Sequence, residues 1–235
     1  MMEFQKQRVS FKTDPVVVEL SGEEKRWKHG PLLPNSIRCI ISGPSNCGKT
    51  NLMLSLLFHP RGLRFENCYV YSKSLQQAKY QFLEKVLKGV KGIGHYFYSD
   101  REDVIPPNQV KPNSIMIFDD VATQKQDVIR DYFSMGRHAG VDSFYLCQSY
   151  AQIPKHLLRD NANLLFLFKQ DETNMKHLYD DHVNTDMGFN QFRDLCYACW
   201  KSNKYGYLVV DRDSSLARGR YRRGLDEYIK LWKNE

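Results

Sequence analysis

The stretch of sequence that indicates the fold is Gly43-Pro44-Ser45-Asn46-Cys47-Gly48-Lys49-Thr50. It fits the pattern G-x-x-x-x-G-K-[ST], in which two glycines let backbone N–H groups turn inward around a phosphate. A short apolar segment, residues 37–42, precedes it, and an apolar helical pattern that opens at Lys49 follows it. Because such a helix aims its positive end at the same phosphate, the pattern in this context predicts a site for a nucleoside triphosphate.

The polar side chains of this loop have predicted contacts. Lys49 is expected to reach the β- and γ-phosphates, and the Thr50 hydroxyl is expected to ligate Mg²⁺. The loop backbone and the first turn of the helix are expected to surround the other phosphate oxygens. We therefore predict ATP and Mg²⁺ as ligands, with nucleotide contacts from Gly43, Pro44, Ser45, Asn46, Cys47, Gly48, Lys49, Thr50 and Asn51.

A pair of carboxylates follows a second apolar segment, residues 115–118. Such a segment predicts a buried strand that delivers Asp119 and Asp120 to the carboxyl edge of the sheet, where open α/β folds bind their ligands. Asp119 is expected to hold Mg²⁺. A second acid next to the metal ligand is what a hydrolase needs to deprotonate attacking water, so we predict Asp120 as the general base. An ordinary strand-end turn is the alternative.

Gln148 ends a further strand pattern, residues 144–147. An amide at this edge could polarise the γ-phosphate or position water, and an ordinary polar residue at a strand end is the alternative. The spacing alone does not decide between these two interpretations.

Short apolar runs alternate with longer helical patterns along the chain, which predicts an α/β fold with a parallel sheet and helices on both faces. The predicted strands are residues 37–42, 68–72, 115–118, 144–147 and 164–168, with a short extra strand at 95–98 and a late one at 205–210. The first predicted helix begins at Lys49. The other predicted helices cover residues 76–88, 128–135, 155–159, 172–181, 187–199 and 226–232.

The composition is that of a globular protein, because 42% of its 235 residues are hydrophobic and 26% are charged. No segment predicts a signal peptide or a membrane span, so we expect a soluble, intracellular protein that requires no membrane. The six cysteines lie in apolar segments, which is typical of reduced, buried thiols. We divide the chain into an N-terminal arm (1–30), a core (31–185) and a basic C-terminal extension (186–235).

Positive charge is concentrated near the C-terminal end. The formal net charge is +7, and the residues from Lys201 onward carry nine Lys/Arg against five Asp/Glu, a net of +4. Uneven positive charge predicts a polyanion partner, although a solvated surface would look the same. The run 218–224 mixes arginine, tyrosine and glycine, so we predict DNA contacts from Arg218, Arg220, Arg222 and Arg223.

A zinc site is a weaker alternative for four residues at the end of the core and in the extension. His177, His182, Cys196 and Cys199 have the spacing H-x₄-H…C-x₂-C. Both cysteines, however, lie in an apolar helical pattern, which favours burial in the core.

Several further motifs carry a family resemblance over residues 36–185. With the loop and the carboxylates, the chain resembles the poxvirus-type genome-packaging ATPases of the FtsK/HerA superfamily, whose relatives occur in large DNA viruses, virophages and virus-like transposons. The additional motifs are Gly136-Arg137-His138-Ala139-Gly140, Tyr145-Leu146-Cys147-Gln148-Ser149-Tyr150, Ile153-Pro154-Lys155 and Arg159-Asp160-Asn161.

The resemblance implies a P-loop NTPase with a RecA-like (ASCE) sheet. It implies a homo-oligomeric ring, expected to be a hexamer, that uses ATP to translocate double-stranded DNA into a preformed capsid. A capsid or vertex protein is then a further partner, and the host cytoplasm or nucleus, at the site of virion assembly or in the virion, is the expected location. The resemblance also makes Gln148 a γ-phosphate sensor.

Ring ATPases complete each site with a neighbour's arginine, which stabilises charge on the transferring phosphoryl group. Arg137 is the first candidate and Arg159 the second, and a surface ion pair is the alternative for either. The chain carries Asp120 where many ring motors place glutamate. Three alternative functions stay open: another DNA translocase or helicase of this superfamily, a nucleotide-switched scaffold that binds capsid protein, and a small-molecule kinase, which would not require Asp120.

Overall fold

The computed structural model describes residues 28–229, which contain a nine-stranded sheet in the order β3-β2-β4-β5-β1-β6-β7-β8-β9. The first six strands in this order pair in parallel, and β7, β8 and β9 are antiparallel to their neighbours. The strands are β1 Arg38–Ser42, β2 Asn67–Ser72, β3 Gly94–Tyr98, β4 Ser114–Asp119, β5 Val141–Cys147, β6 Leu164–Leu167, β7 Leu208–Asp211, β8 Tyr221–Arg223 and β9 Glu227–Tyr228.

Apart from the half-buried edge strand β3, the parallel strands are buried on both faces, because helices cover both sides of the sheet. Alternate residues of β1 show this: Ile40 packs into one apolar cluster, whereas Cys39 and Ile41 pack into the other. Such strands are apolar at nearly every position, which is why they are recognisable in the sequence as short continuous runs. The α/β fold class with helices on both faces is therefore confirmed.

Five helices form the two outer layers. The first two lie on one face with Leu56 and Leu83 in their cluster, and the other three lie on the opposite face with Phe133, Leu178 and Phe192. Within residues 28–229 no helix is both long and apolar enough to cross a membrane. The helices are α1 Lys49–Phe58, α2 Ala78–Gly89, α3 Asp127–Met135, α4 Glu172–His182 and α5 Phe189–Trp200.

The order of the central strands determines where the predicted site lies. Strand β5 lies between β1 and β4, with Ser42 opposite Cys147 and Asp119 opposite Leu146. The loop after β1, the residue after β5 and the end of β4 therefore meet at one carboxyl edge. Parallel pairing brings together residues that are about 30 to 100 positions apart in the sequence.

The structure confirms most predicted elements and corrects others. The extra strand at 95–98 exists as β3, and the late strand begins at Leu208 rather than at Tyr205. Residues 155–159 form a single π-helical turn. The helix predicted at 226–232 is wrong in its described part, because Glu227–Tyr228 pairs with β8 after a turn in which Gly224 has a φ of 62°.

The predicted domain division stays a prediction. The C-terminal extension adds β7, β8 and β9 to the same sheet. The N-terminal arm lies outside the described residues, apart from its last three positions. Of these, Lys28 and His29 both contact the buried carboxylate of Asp142, which also accepts a hydrogen bond of 2.7 Å from the Ile37 N–H. Burial alone would raise the pKa of Asp142, but these donors and the charge of Lys28 outweigh it and lower that pKa.

Candidate nucleotide-binding site

The loop between β1 and α1 is shaped by backbone conformations that few side chains tolerate. Gly48 has a φ of 112° and Asn46 a φ of 61°, both in the left-handed region. Gly43 is required by close packing, since a Cβ at this position would lie 2.6 Å from Phe168 Cβ and 2.7 Å from Cys47 Sγ. Both glycines of the motif are therefore required by the local structure, Gly48 by its positive φ and Gly43 by the close approach of Phe168 and Cys47.

Lys49 folds back over its own loop. Its Nζ donates hydrogen bonds to the carbonyl oxygens of Gly43 at 2.6 Å and Pro44 at 2.9 Å. Because it is the first residue of α1, its ammonium group and the positive end of the helix lie at the same mouth of the loop. The carbonyl contacts hold the ammonium beside the space that a phosphate would fill.

Asp119 ends β4 and is partly buried, and its carboxylate accepts a hydrogen bond from the Tyr80 hydroxyl of α2. Burial raises the pKa of Asp119, although the Tyr80 hydrogen bond and the Lys49 charge oppose the rise. Sequence reasoning missed Tyr80, because nothing in its helical pattern distinguishes it from a core tyrosine. Tyr80 orients the carboxylate of Asp119, a predicted metal ligand. Residues that hydrogen-bond to metal ligands act in this way in metal sites.

Asp120 has a φ of 57°, one of three non-glycine residues with positive φ within residues 28–229. Aspartate tolerates this conformation better than most residues, and strained backbone clusters at functional sites. Its carboxylate accepts a hydrogen bond of 2.6 Å from Ser74 Oγ, in the loop after β2. Ser74 therefore anchors the carboxylate that we predict as general base.

A cleft of about 530 Å³ lies at this edge of the sheet. It brings together loop residues, the carboxylates and the end of β5, and its lining includes Ser45, Asn46, Gly48, Lys49, Thr50, Asn51, Asp119, Asp120 and Gln148. The Thr50 hydroxyl and the Asp119 carboxylate supply hard oxygen donors, the kind that Mg²⁺ prefers. The residues present therefore fit a Mg²⁺–nucleotide complex.

Gln148 lies between the loop and the carboxylates, because β5 lies between β1 and β4. The segment after it is held from α4: Asn174 Oδ1 accepts from the Ala151 N–H at 2.8 Å and from Ser149 Oγ at 3.1 Å. Tyr150, fully buried, bonds to Asp181 and His182. These anchors were not predictable from spacing, and they restrict the backbone that positions Gln148.

Arg159 was the second candidate for the arginine that completes a neighbouring subunit's site. Its position in the structure does not fit that role. Its side chain is buried, with Nη1 2.8 Å from Asp181 Oδ2 and the guanidinium 5.1 Å from the centre of the Tyr150 ring. With 7% of the residue exposed, the guanidinium is enclosed in its own subunit beside Asp181, where a neighbouring subunit does not reach it.

Arg137 lies in the exposed turn between α3 and β5, at the opposite edge of the sheet from the cleft. Its side chain has no hydrogen bond or ion pair with the part of the chain that the structure describes. Burial lowers the pKa of the Arg38 guanidinium, and the nearby positive charges of Arg137 and Arg212 add to the decrease. The carboxylates of Asp213 and Asp142 oppose this decrease, so Arg137 lies in a mixed-charge region at the edge of the sheet away from its own nucleotide site.

The four arginines predicted to contact DNA differ in their surroundings. The prediction that Arg222 contacts DNA is wrong, because this side chain is buried. Its Nη2 lies 2.6 Å from Asp211 Oδ2, and its Nη1 donates to the Leu32 carbonyl at 2.5 Å. Arg220 pairs with Asp186 at 3.4 Å, and Arg223 pairs with Glu227. Arg218 is exposed, and its side chain has no polar partner among residues 28–229.

The zinc alternative receives no support from the geometry. His177 is exposed on α4, whereas His182 is buried with Nε2 2.7 Å from the Tyr150 hydroxyl. Burial lowers the pKa of His182 to about 3. No group of three or more His, Cys, Asp or Glu side chains within residues 28–229 is arranged to hold a metal ion.

No protein-family model matches this chain, and no curated protein matches it. Solved structures are similar. The genome packaging NTPase B204 from Sulfolobus turreted icosahedral virus 2, in complex with sulfate, has a TM-score of 0.57 at 13% identity, covering 86% of this chain and 100% of that chain. Its complex with AMPPCP has a TM-score of 0.52 at 12% identity, covering 77% of this chain and 95% of that chain.

A second viral protein is also similar. B204, the DNA-packaging ATPase from Sulfolobus Turreted Icosahedral Virus, has a TM-score of 0.50 at 15% identity, covering 74% of this chain and 92% of that chain. The chain therefore has the fold of the viral genome-packaging NTPases, and the resemblance seen in its sequence is confirmed at the level of the fold.

Proposed function

We propose that this chain is an ATP-hydrolysing motor that moves double-stranded viral DNA into a preformed capsid. The observation that carries the proposal is the convergence of Lys49, Thr50, Asp119, Asp120 and Gln148 on one cleft at the carboxyl edge of the sheet. A nucleotide switch or a kinase needs the loop and the metal ligands. A hydrolase also needs a group that deprotonates or orients water beside the γ-phosphate, the roles that we assign to Asp120 and Gln148.

The roles follow from the placement of the side chains. When bound, Mg²⁺ would neutralise charge on the β- and γ-phosphates, held by Thr50 and Asp119. Lys49 would leave its loop carbonyls for the phosphate oxygens, a contact with a charged acceptor that is stronger than those it gives up. Asp120, anchored by Ser74, would accept a proton from water, and Gln148 would orient that water.

A ring arrangement accounts for Arg137. Each subunit has its cleft at the carboxyl edge of the sheet and Arg137 at the opposite edge. In a head-to-tail ring, one subunit's arginine can approach the next subunit's cleft, whereas no subunit can reach its own. The ring is proposed to be a hexamer of this chain, as the resemblance implies.

Movement of DNA into a capsid is supported by the resemblance and by the likeness to two viral packaging enzymes. The net charge of +7 agrees with a polyanion substrate. Exposed Arg218 is the remaining DNA contact that we propose from the basic run, since Arg220 and Arg223 are engaged at the surface. A capsid or vertex protein is the proposed docking partner.

ATP hydrolysis with and without duplex DNA tests this function. We expect wild-type phosphate release to rise severalfold on addition of double-stranded DNA at moderate salt, and Lys49→Ala to release almost none. High salt should remove the stimulation, because DNA binding weakens steeply with ionic strength. A kinase would release phosphate only when given an acceptor, and a scaffold would bind DNA or capsid protein without stimulated turnover; either result would contradict the proposal.

A further inference from the structure

An apolar groove of about 810 Å³ adjoins the phosphate cleft. The two share three lining residues, Gly48, Asn51 and Tyr205. Beyond them the groove runs along α1, between Leu52 and Leu225. It is therefore continuous with the nucleotide site, and its lining changes from polar to apolar as it leaves the loop.

The orientation of a bound nucleotide follows from the cleft. The γ-phosphate end belongs beside Asp120 and Gln148, because the catalytic groups must reach it. The three phosphates form one chain, so the α-phosphate, ribose and base must leave the loop at its other end. That end is the Asn51 side, where the cleft opens into the apolar groove.

Tyr205 stands at this junction. Its side chain is 48% exposed, and a Cβ placed on Gly48 would lie 3.5 Å from Tyr205 Cδ1. The backbone N–H of Tyr205 donates to Asn203 Oδ1 at 2.8 Å, which fixes the turn that carries the ring. Behind it, Tyr207 packs on Phe168 with 5.3 Å between ring centres. Lys204 Nζ lies over this ring, 5.4 Å from its centre, and the rest of the exposed ring beside the phosphate loop offers a flat apolar surface that a purine base can cover.

We propose that this groove holds the base and ribose of ATP, with the base stacked on Tyr205. The inference rests on the proposed function and extends it. It assigns a role to the C-terminal extension, which supplies Tyr205, Tyr207 and Leu225 to the groove. The core then binds the triphosphate, and the extension together with α1 of the core binds the nucleoside.

The test compares ATP with inorganic tripolyphosphate, each with Mg²⁺, by calorimetric titration of the full chain. Tripolyphosphate carries the phosphates without a base. We expect Tyr205→Ala to weaken ATP binding about ten- to a hundredfold, the range for loss of one base–aromatic stack, and to leave tripolyphosphate binding within about twofold. Tyr205→Phe should bind both ligands like the wild type, since it keeps the ring.

A second variant tests the groove by a substitution on α1. Ser55 is exposed and lines the groove, so Ser55→Trp should fill it and weaken ATP binding while sparing tripolyphosphate. Tyr197→Ala removes a ring of comparable exposure, 40%, that lines neither the cleft nor the groove, and should change neither affinity.

The outcomes separate this inference from the function on which it rests. Unchanged ATP affinity in both Tyr205→Ala and Ser55→Trp would overturn the base site and leave the groove to another ligand, such as a capsid peptide. Equal losses for ATP and tripolyphosphate would also overturn it, because Tyr205 would then support the phosphate loop. A wild-type chain that binds neither ligand would contradict the proposed function itself.

Discussion

Arg137→Ala is expected to lower the kcat of the assembled ring by about 10³- to 10⁵-fold, the contribution of an arginine that neutralises the transferring phosphoryl group. ATP affinity of the separate subunit should stay unchanged, because Arg137 lies at the opposite edge of the sheet from the cleft. The fold should also be unaffected, since the side chain is exposed. Steady-state hydrolysis and equilibrium ATP binding measure the two effects.

Mixing subunits shows whether Arg137 acts between them. Lys49→Ala subunits keep Arg137 but cannot use ATP, and Arg137→Ala subunits keep a complete cleft. Neither should be active alone, whereas a mixture should recover activity at interfaces that pair an intact cleft with an intact arginine. Arg130→Ala, an exposed arginine on α3, serves as the matched control and should behave like the wild type. Failure of the mixture to recover any activity would contradict action in trans.

Asp120→Asn is expected to reduce kcat by about 10²- to 10⁴-fold, the usual contribution of a general base. Asparagine has nearly the same size and tolerates a positive φ, so the backbone conformation at 57° should persist. Binding of Mg²⁺–ATP should be retained, because the loop and Asp119 are unchanged. Single-turnover hydrolysis measures the chemical step, and equilibrium titration measures binding.

Asp103→Asn is the control for this substitution, since Asp103 is exposed and does not line the cleft. It should leave both kcat and ATP affinity unaltered. A turnover for Asp120→Asn within about threefold of the wild type would remove Asp120 from the role of base and make Gln148 the residue that prepares the water.

The phosphate loop and the carboxylates were predictable because each depends on a local pattern. Gly48 and Lys49 lie at fixed spacing between an apolar strand and an apolar helix, and Asp119 and Asp120 directly follow a buried strand. Parallel pairing then brings these segments to one edge without further information. The order of the strands was not predictable from the motifs, because it depends on which distant strands pair and not on a local pattern.

Residues whose roles depend on distant partners were not predictable. Tyr80 meets Asp119 across 39 positions, and no helical period signals such a contact. The sequence of a basic run gives its charge but not its ion pairs. Arg222 and Arg218 therefore look alike in the sequence, although only Arg222 is buried against Asp211. The predicted terminal helix failed for a related reason, since pairing with β8 overrides the local helical pattern at Glu227–Tyr228.

The most direct measurement of the central claim is displacement of a third strand from duplex DNA. A short triplex-forming oligonucleotide is placed at one end of a linear duplex, and its release is followed after addition of the protein with Mg²⁺ and ATP. We expect rapid release by the wild type, none by Lys49→Ala, and none with a non-hydrolysable ATP analogue. ATP hydrolysis that is stimulated by the same duplex, with the triplex left in place, would contradict translocation.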